Sequence, residues 1–115
     1  MSKSDDIWIL GIHMTKFGKH FDKDIVDLGS EAIFGALADA GVTMADMGIL
    51  AAGNLMGRGS IGQELQKQVG QTGIPVYNVS NACATGATAL RTAIMSIKAG
   101  ESDMGLAVGV EKLAG

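Results

Sequence analysis

Ile74-Pro75-Val76-Tyr77-Asn78-Val79-Ser80-Asn81-Ala82-Cys83-Ala84-Thr85-Gly86-Ala87-Thr88-Ala89-Leu90 decides how the rest of the chain is read. Its first half is short, apolar and β-branched, with proline at the start, where a strand tolerates it. Its second half is built of small residues at helical density, and the spacing predicts a helix over Cys83 to Lys98, ended by Ala99-Gly100. The only cysteine of the chain, Cys83, therefore falls at a strand-to-helix junction. The unpaired N–H groups of a helix's first turn carry partial positive charge, which favours a thiolate, the attacking form of the side chain. A strand-to-helix turn also lifts a nucleophile clear of the core. A lone cysteine is also a common small core hydrophobe. The junction position and the small neighbours Ala82, Ala84 and Gly86 are what set a reactive thiol beside that reading.

The predicted third helix carries a second message. Small residues lie on every side of it, Leu90, Ile94 and Ile97 add bulk further along, and only Arg91 and Lys98 are charged. A helix without a polar face is normally buried all round, which a domain of this size rarely achieves. It calls for a second layer of structure that these residues do not supply.

Working outward, the chain alternates apolar runs with helical patterns. Ile7 to Ile12 reads as a strand buried on both faces. Asp24 to Ala40 reads as an amphipathic helix with acidic residues in its first half and Gly41 as its stop. Gly48 to Gly53 reads as a second strand, Ile61 to Val69 as a second helix closed by Gly70, Ile74 to Val79 as a third strand, and Met104 to Val110 as a fourth. The order β-α-β-α-β-α-β predicts an α/β fold with a mainly parallel sheet and crossover helices.

Composition narrows the function classes. The 115 residues, 47% hydrophobic and 18% charged, describe one globular unit with ample core material. A net charge of −3, scattered Lys and Arg and few aromatic rings give no case for nucleic acid. No apolar run approaches the roughly 18 residues of a membrane span. The polar, acidic N-terminus does not read as a signal peptide. One cysteine excludes a disulfide framework and a cysteine-rich metal site, which points to a reducing cytoplasm. Asp22, Asp24 and Asp27 read as a solvated helix start before a metal cluster. His13 and His20, in the loop from His13 to Lys23, read as solvated surface groups. Glu111 stands at the end of the last strand, where parallel sheets place ligands, and reads as a structural or supporting residue before a catalytic one.

One motif competes. Gly57-Arg58-Gly59-Ser60-Ile61-Gly62 matches the dinucleotide pattern G-x-G-x-x-G. It lies in the second βαβ unit, and no Asp or Glu stands between Glu64 and Glu101 to hold a ribose hydroxyl. The stretch reads as a glycine loop.

Four segments together resemble a known family. Tyr77 to Gly86 resembles the nucleophile motif of thiolases, in the branch of the sterol-carrier-protein thiolases and acetyl-CoA acetyltransferases. Gly11-Ile12-His13-Met14-Thr15-Lys16-Phe17-Gly18 resembles the family's opening. Ala36-Leu37-Ala38-Asp39-Ala40-Gly41 resembles the end of its first helix, and Leu106-Ala107-Val108-Gly109-Val110-Glu111-Lys112 the strand after the nucleophile helix. They stand in family order and span nearly the whole chain. The resemblance implies a thiolase-like fold, with residues 1–115 as part of the N-terminal half of a subunit and the nucleophile helix lying between two similar halves. It implies that Cys83 is the acyl-accepting nucleophile, with its backbone N–H in an oxyanion hole. Coenzyme A thioesters would be the substrates, with no permanently bound cofactor, no nucleic acid and no membrane. The full-length parent would be a homo-oligomer that forms or cleaves 3-ketoacyl-coenzyme A. The family's activating histidine and second cysteine come from motifs that match nothing in these 115 residues, and neither His13 nor His20 takes those roles. The resemblance therefore predicts a chain with its nucleophile present and its activators absent. Two other readings stand beside it: a non-catalytic thiolase-like protein that binds acyl groups or partners, and an unrelated α/β domain with a buried cysteine.

Overall fold

A computed structural model describes residues 6–57 and 59–113. Its elements are α1 (Ile25–Ala40), β1 (Ile49–Gly53), α2 (Ile61–Val69), β2 (Val76–Val79), α3 (Thr85–Lys98) and β3 (Gly105–Gly109), with a single 3-10 turn at Met44–Asp46. The three strands form a parallel sheet in the order β2-β1-β3, with Leu50 opposite Val76 and Leu106. The sheet is α/β and parallel, as the alternation predicts.

β1 is the axis of the fold. Ile-Leu-Ala-Ala-Gly is buried along its whole length, the habit of a strand covered on both faces. Alternate residues serve opposite layers. Leu50 and Ala52 join Ile33 and Leu37 of α1, Ile61 and Leu65 of α2, and Leu106 and Val108 of β3 in the main core. Ala51 faces the other way and meets Ala89 and Ala93 of α3 in a smaller cluster. α1 and α2 thus cover one face and α3 the other.

Local chemistry sets the helix ends. Asp24 caps α1 by accepting from the Asp27 N–H at 2.8 Å, while the Asp27 carboxylate accepts from the Asp24 N–H at 3.0 Å. This reciprocal capping box uses both carboxylates to start the helix. Gly41, at φ 72°, closes the same helix in the left-handed conformation that glycine adopts without strain.

The run Ile7–Ile12 departs from expectation. It forms no strand. A strand needs an edge to pair with, and this segment lies along α1 instead. A Cβ at Gly11 would come within 2.5 Å of the Ala36 carbonyl oxygen, and the Ile12 N–H donates to Asp39 Oδ2 at 2.8 Å. Between the segment, α1, α3 and β3 lies an apolar cleft of about 480 Å³. The expected burial is absent as well: Trp8 is 77% and Ile12 72% exposed.

α3 meets its expectation in half. Thr85, Ala89, Ala93 and Ser96 are buried against the sheet. Leu90 and Met95 on its other side stay exposed, so within the described residues the helix is covered on one face only.

Candidate active site

The carboxyl ends of β1 and β3 open on a cleft of about 700 Å³, the position where parallel sheets take ligands. Gly53 and Gly109 form its floor, and Ala82, Cys83, Thr85 and Gly86 one wall. Leu55 and Met56 contribute a second side, and the loop from His13 to His20 a third.

Cys83 is exposed in this cleft as a free thiol. It does not begin the helix, as the sequence suggests. α3 starts at Thr85 with Ala84 as its N-cap, so Cys83 precedes the cap. The cause is a turn that the residue types conceal. Ala82 has φ 48°, a left-handed backbone that an alanine rarely takes. The turn is closed by four backbone and side-chain contacts. The Ala84 N–H donates to the Asn81 carbonyl at 2.9 Å and the Thr85 N–H to the Ala82 carbonyl at 3.2 Å. The Thr85 hydroxyl bridges the same two residues, accepting from the Asn81 N–H at 2.7 Å and donating to the Ala82 carbonyl at 2.6 Å.

Glycines let this turn sit low on the sheet. A Cβ at Gly53 would lie 2.9 Å from the Thr85 carbonyl oxygen, and one at Gly109 would lie 3.0 Å from Gly86 Cα. The first turn of α3 therefore rests directly on the ends of β1 and β3.

Glu111 organises the second side. Its carboxylate accepts from the Leu55 N–H at 2.8 Å, the Met56 N–H at 3.1 Å and Asn54 Nδ2 at 3.2 Å. Asn54 Nδ2 also donates to the Val110 carbonyl at 2.8 Å, and Asn54 Oδ1 accepts from the Gly57 N–H at 2.7 Å. An ionised carboxylate collecting several N–H groups is a strong anchor. It fixes the start of the glycine loop against the strand end, so Glu111 is a supporting residue, as its position suggests. Arg58, in the G-x-G-x-x-G match, lies outside the described residues. Gly62 is the first-turn residue that approaches β2, with its N–H donating to Asn78 Oδ1 at 2.6 Å.

Both histidines line the cleft, which the sequence does not suggest. They are engaged elsewhere. His20 Nε2 lies 2.7 Å from the Lys16 carbonyl oxygen, and the His13 ring packs over Gly35, where a Cβ would come within 2.2 Å of it. Lys112 Nζ donates to the Lys23 carbonyl and ties the residues after β3 to the loop that precedes α1. Lys23 itself pairs with Glu31 at 3.0 Å, and that hydrogen bond, followed by the charge of Glu31, holds its ammonium group above the ordinary lysine range. Among the described residues no helix is long and apolar enough to cross a membrane.

The chain's sequence and fold both have counterparts among known proteins. The acetyl-CoA acetyltransferase of Methanothermobacter thermautotrophicus is 39% identical over 113 residues, which cover 94% of this chain and 30% of that protein. Human sterol carrier protein 2 is 38% identical over 112 residues, covering 94% of this chain and 20% of the other. The chain thus spans less than a third of the length of these relatives. Among solved structures, the acetyl-CoA acetyltransferase of Syntrophomonas wolfei superposes with a TM-score of 0.73 at 21% identity, over 82% of this chain and 26% of that one. The 3-oxoacyl-[acyl-carrier-protein] synthase III of Aquifex aeolicus gives 0.62 at 22%, over 79% and 30%. At such identities these two likenesses speak for the fold alone. The model of the thiolase N-terminal domain matches residues 7–115, and with it the chain belongs to the thiolase family.

Proposed function

We propose that this chain carries the nucleophile of a thiolase-type acyl-coenzyme A C-acyltransferase, and that the nucleophile is Cys83. The observation that carries the reading is the placement of the only cysteine. It is an exposed thiol on a left-handed turn at the mouth of a cleft, immediately before a helix N-terminus. The names of the relatives, acetyl-CoA acetyltransferase among them, support coenzyme A thioesters as the substrate class.

In the proposed step the Cys83 thiolate attacks the carbonyl carbon of an acyl-coenzyme A. The carbonyl π electrons move onto oxygen. The Cys83 N–H is the donor for that oxygen, since the Ala84 and Thr85 N–H groups are already given to the Asn81 and Ala82 carbonyls. Collapse of the intermediate breaks the bond to the coenzyme A sulfur. The released coenzyme A thiolate takes up a proton, and the acyl group stays on Cys83 as a thioester. In the complete reaction of this class, a second acyl-coenzyme A deprotonated at its α-carbon would attack this thioester, forming the carbon–carbon bond as the acyl–sulfur bond breaks and the Cys83 thiolate leaves. We place the assembled enzyme as a homo-oligomer in the cytoplasm.

Intact-mass measurement after incubation with acetyl-coenzyme A tests the reading. One acetyl group per chain is expected, mapped to the peptide containing Cys83. A folded chain that takes up no acetyl group at Cys83 would instead support the non-catalytic, acyl- or partner-binding alternative.

A further inference from the structure

We propose that Thr85 is a positioning residue for Cys83: its hydroxyl closes the Asn81–Thr85 turn, holds Ala82 in the left-handed region and so fixes the cysteine at the mouth of the cleft. The proposal rests on the reading of Cys83 as the acyl-accepting thiol.

Thr85 is 6% exposed, and its hydroxyl is bonded on both sides. It accepts from the N–H that precedes Ala82 and donates to the carbonyl of Ala82 itself. Those two bonds bracket the one non-glycine residue at positive φ among the described residues. A left-handed alanine is strained, so it persists only where its surroundings impose it. The hydroxyl is the side-chain group that does so. Thr88 adds a parallel brace, accepting from Asn81 Nδ2 at 3.0 Å and donating to the Ala84 carbonyl at 3.0 Å. The Thr85 methyl has a separate task. It sits where a Cβ at Gly53 would approach to 2.8 Å, so it seats the helix on the end of β1. Hydroxyl and methyl can therefore be tested apart.

Released from the brace, Ala82 relaxes toward the right-handed or extended backbone. The two residues between it and the helix must then reorient, and the Cys83 sulfur leaves its place in the cleft. Thr85→Val keeps the shape and removes the hydroxyl, leaving the Asn81 N–H and the Ala82 carbonyl without that partner. Thr85→Ser keeps the hydroxyl and removes the methyl.

Because the chain has a single cysteine, iodoacetamide reports on Cys83 alone. In the folded 115-residue protein, Thr85→Val is expected to lower the second-order alkylation rate about threefold or more, and Thr85→Ser to leave it within about twofold of wild type. A wild-type rate in folded Thr85→Val overturns the proposal, as does an equal loss in Thr85→Ser. Should Thr85→Val not fold, amide exchange in the wild-type protein decides instead. An Asn81 amide protected in folded wild type and in Thr85→Ser supports the brace, and an Asn81 amide that exchanges as freely as an open loop overturns it. Failure of the two hypotheses is separable. Absence of acetyl transfer in wild type removes the acyl reading, whereas an unchanged alkylation rate in Thr85→Val removes this one.

Discussion

Cys83→Ala is expected to abolish acetyl uptake from acetyl-coenzyme A completely, while the wild-type chain stops at one acetyl group and does not turn over acetoacetyl-coenzyme A. The loss is total because the step is covalent. No other thiol exists in the chain, and a methyl group forms no thioester. The arrest after one group follows from what surrounds the sulfur. Turnover needs a base that removes the α-proton of the second acyl group and returns protons to the leaving thiol. His20 is held on the Lys16 carbonyl and His13 over Gly35, so neither ring is poised for that work. Acyl uptake in Cys83→Ala equal to wild type would remove the nucleophile assignment. Sustained Cys83-dependent thiolysis by the purified chain would show that a base within these residues had been overlooked. Intact mass and a coenzyme A release assay read the two outcomes separately.

Leu65→Ala is expected to cost about 3–4 kcal/mol, measured by urea unfolding. That is a large share of the roughly 5–15 kcal/mol that separates folded from unfolded states in small domains. Leu65 is fully buried between α1, α2 and the sheet. Its side chain packs over a glycine: a Cβ at Gly29 would lie 2.6 Å from Leu65 Cδ2. This contact makes the two positions interdependent. Gly29→Ala in the wild-type background forces the leucine to move, which opposes the gain of about 1 kcal/mol expected when alanine replaces glycine inside a helix. With Leu65 truncated, the same methyl enters the space just emptied. Gly29→Ala is therefore expected to raise the stability of Leu65→Ala. Strict additivity of the two substitutions would show that the site collapses without it.

Much of this is legible in the sequence. Asp24 and Gly41 mark the ends of α1 because capping is a local matter of one side chain and one backbone angle. α2 spans Ile61–Val69, as the pattern and Gly70 predict. The thiolase resemblance, read from four short segments, agrees with the family match over residues 7–115 and with the relatives among acetyl-CoA acetyltransferases and sterol carrier proteins. What escaped was non-local. Ile7–Ile12 has every mark of a strand, but a strand is made by its neighbour, and no periodicity within the segment says that α1 will be that neighbour. Glu111 reaches Leu55 across 56 positions, so only the acid at a strand end hinted at a supporting role. The start of α3 moved by two residues because Ala82 is left-handed, and an alanine gives no sign of that. The histidines enter the cleft through the path of a loop whose composition says only that it is exposed.

The cleft has walls of unequal durability. The Cys83 side stands on β1, whose strand is buried on both faces and bonded along both edges. Amides of such a strand exchange only when the whole molecule opens. The opposite side, Met14 to His20, is largely exposed backbone without a ladder, and its Phe17 ring is 83% exposed. A dilute protease is therefore expected to nick the native chain between Met14 and His20 well before the Ile49–Gly53 amides show any deuterium uptake. The molecule would hold its sulfur on bedrock and receive its visitor against a curtain.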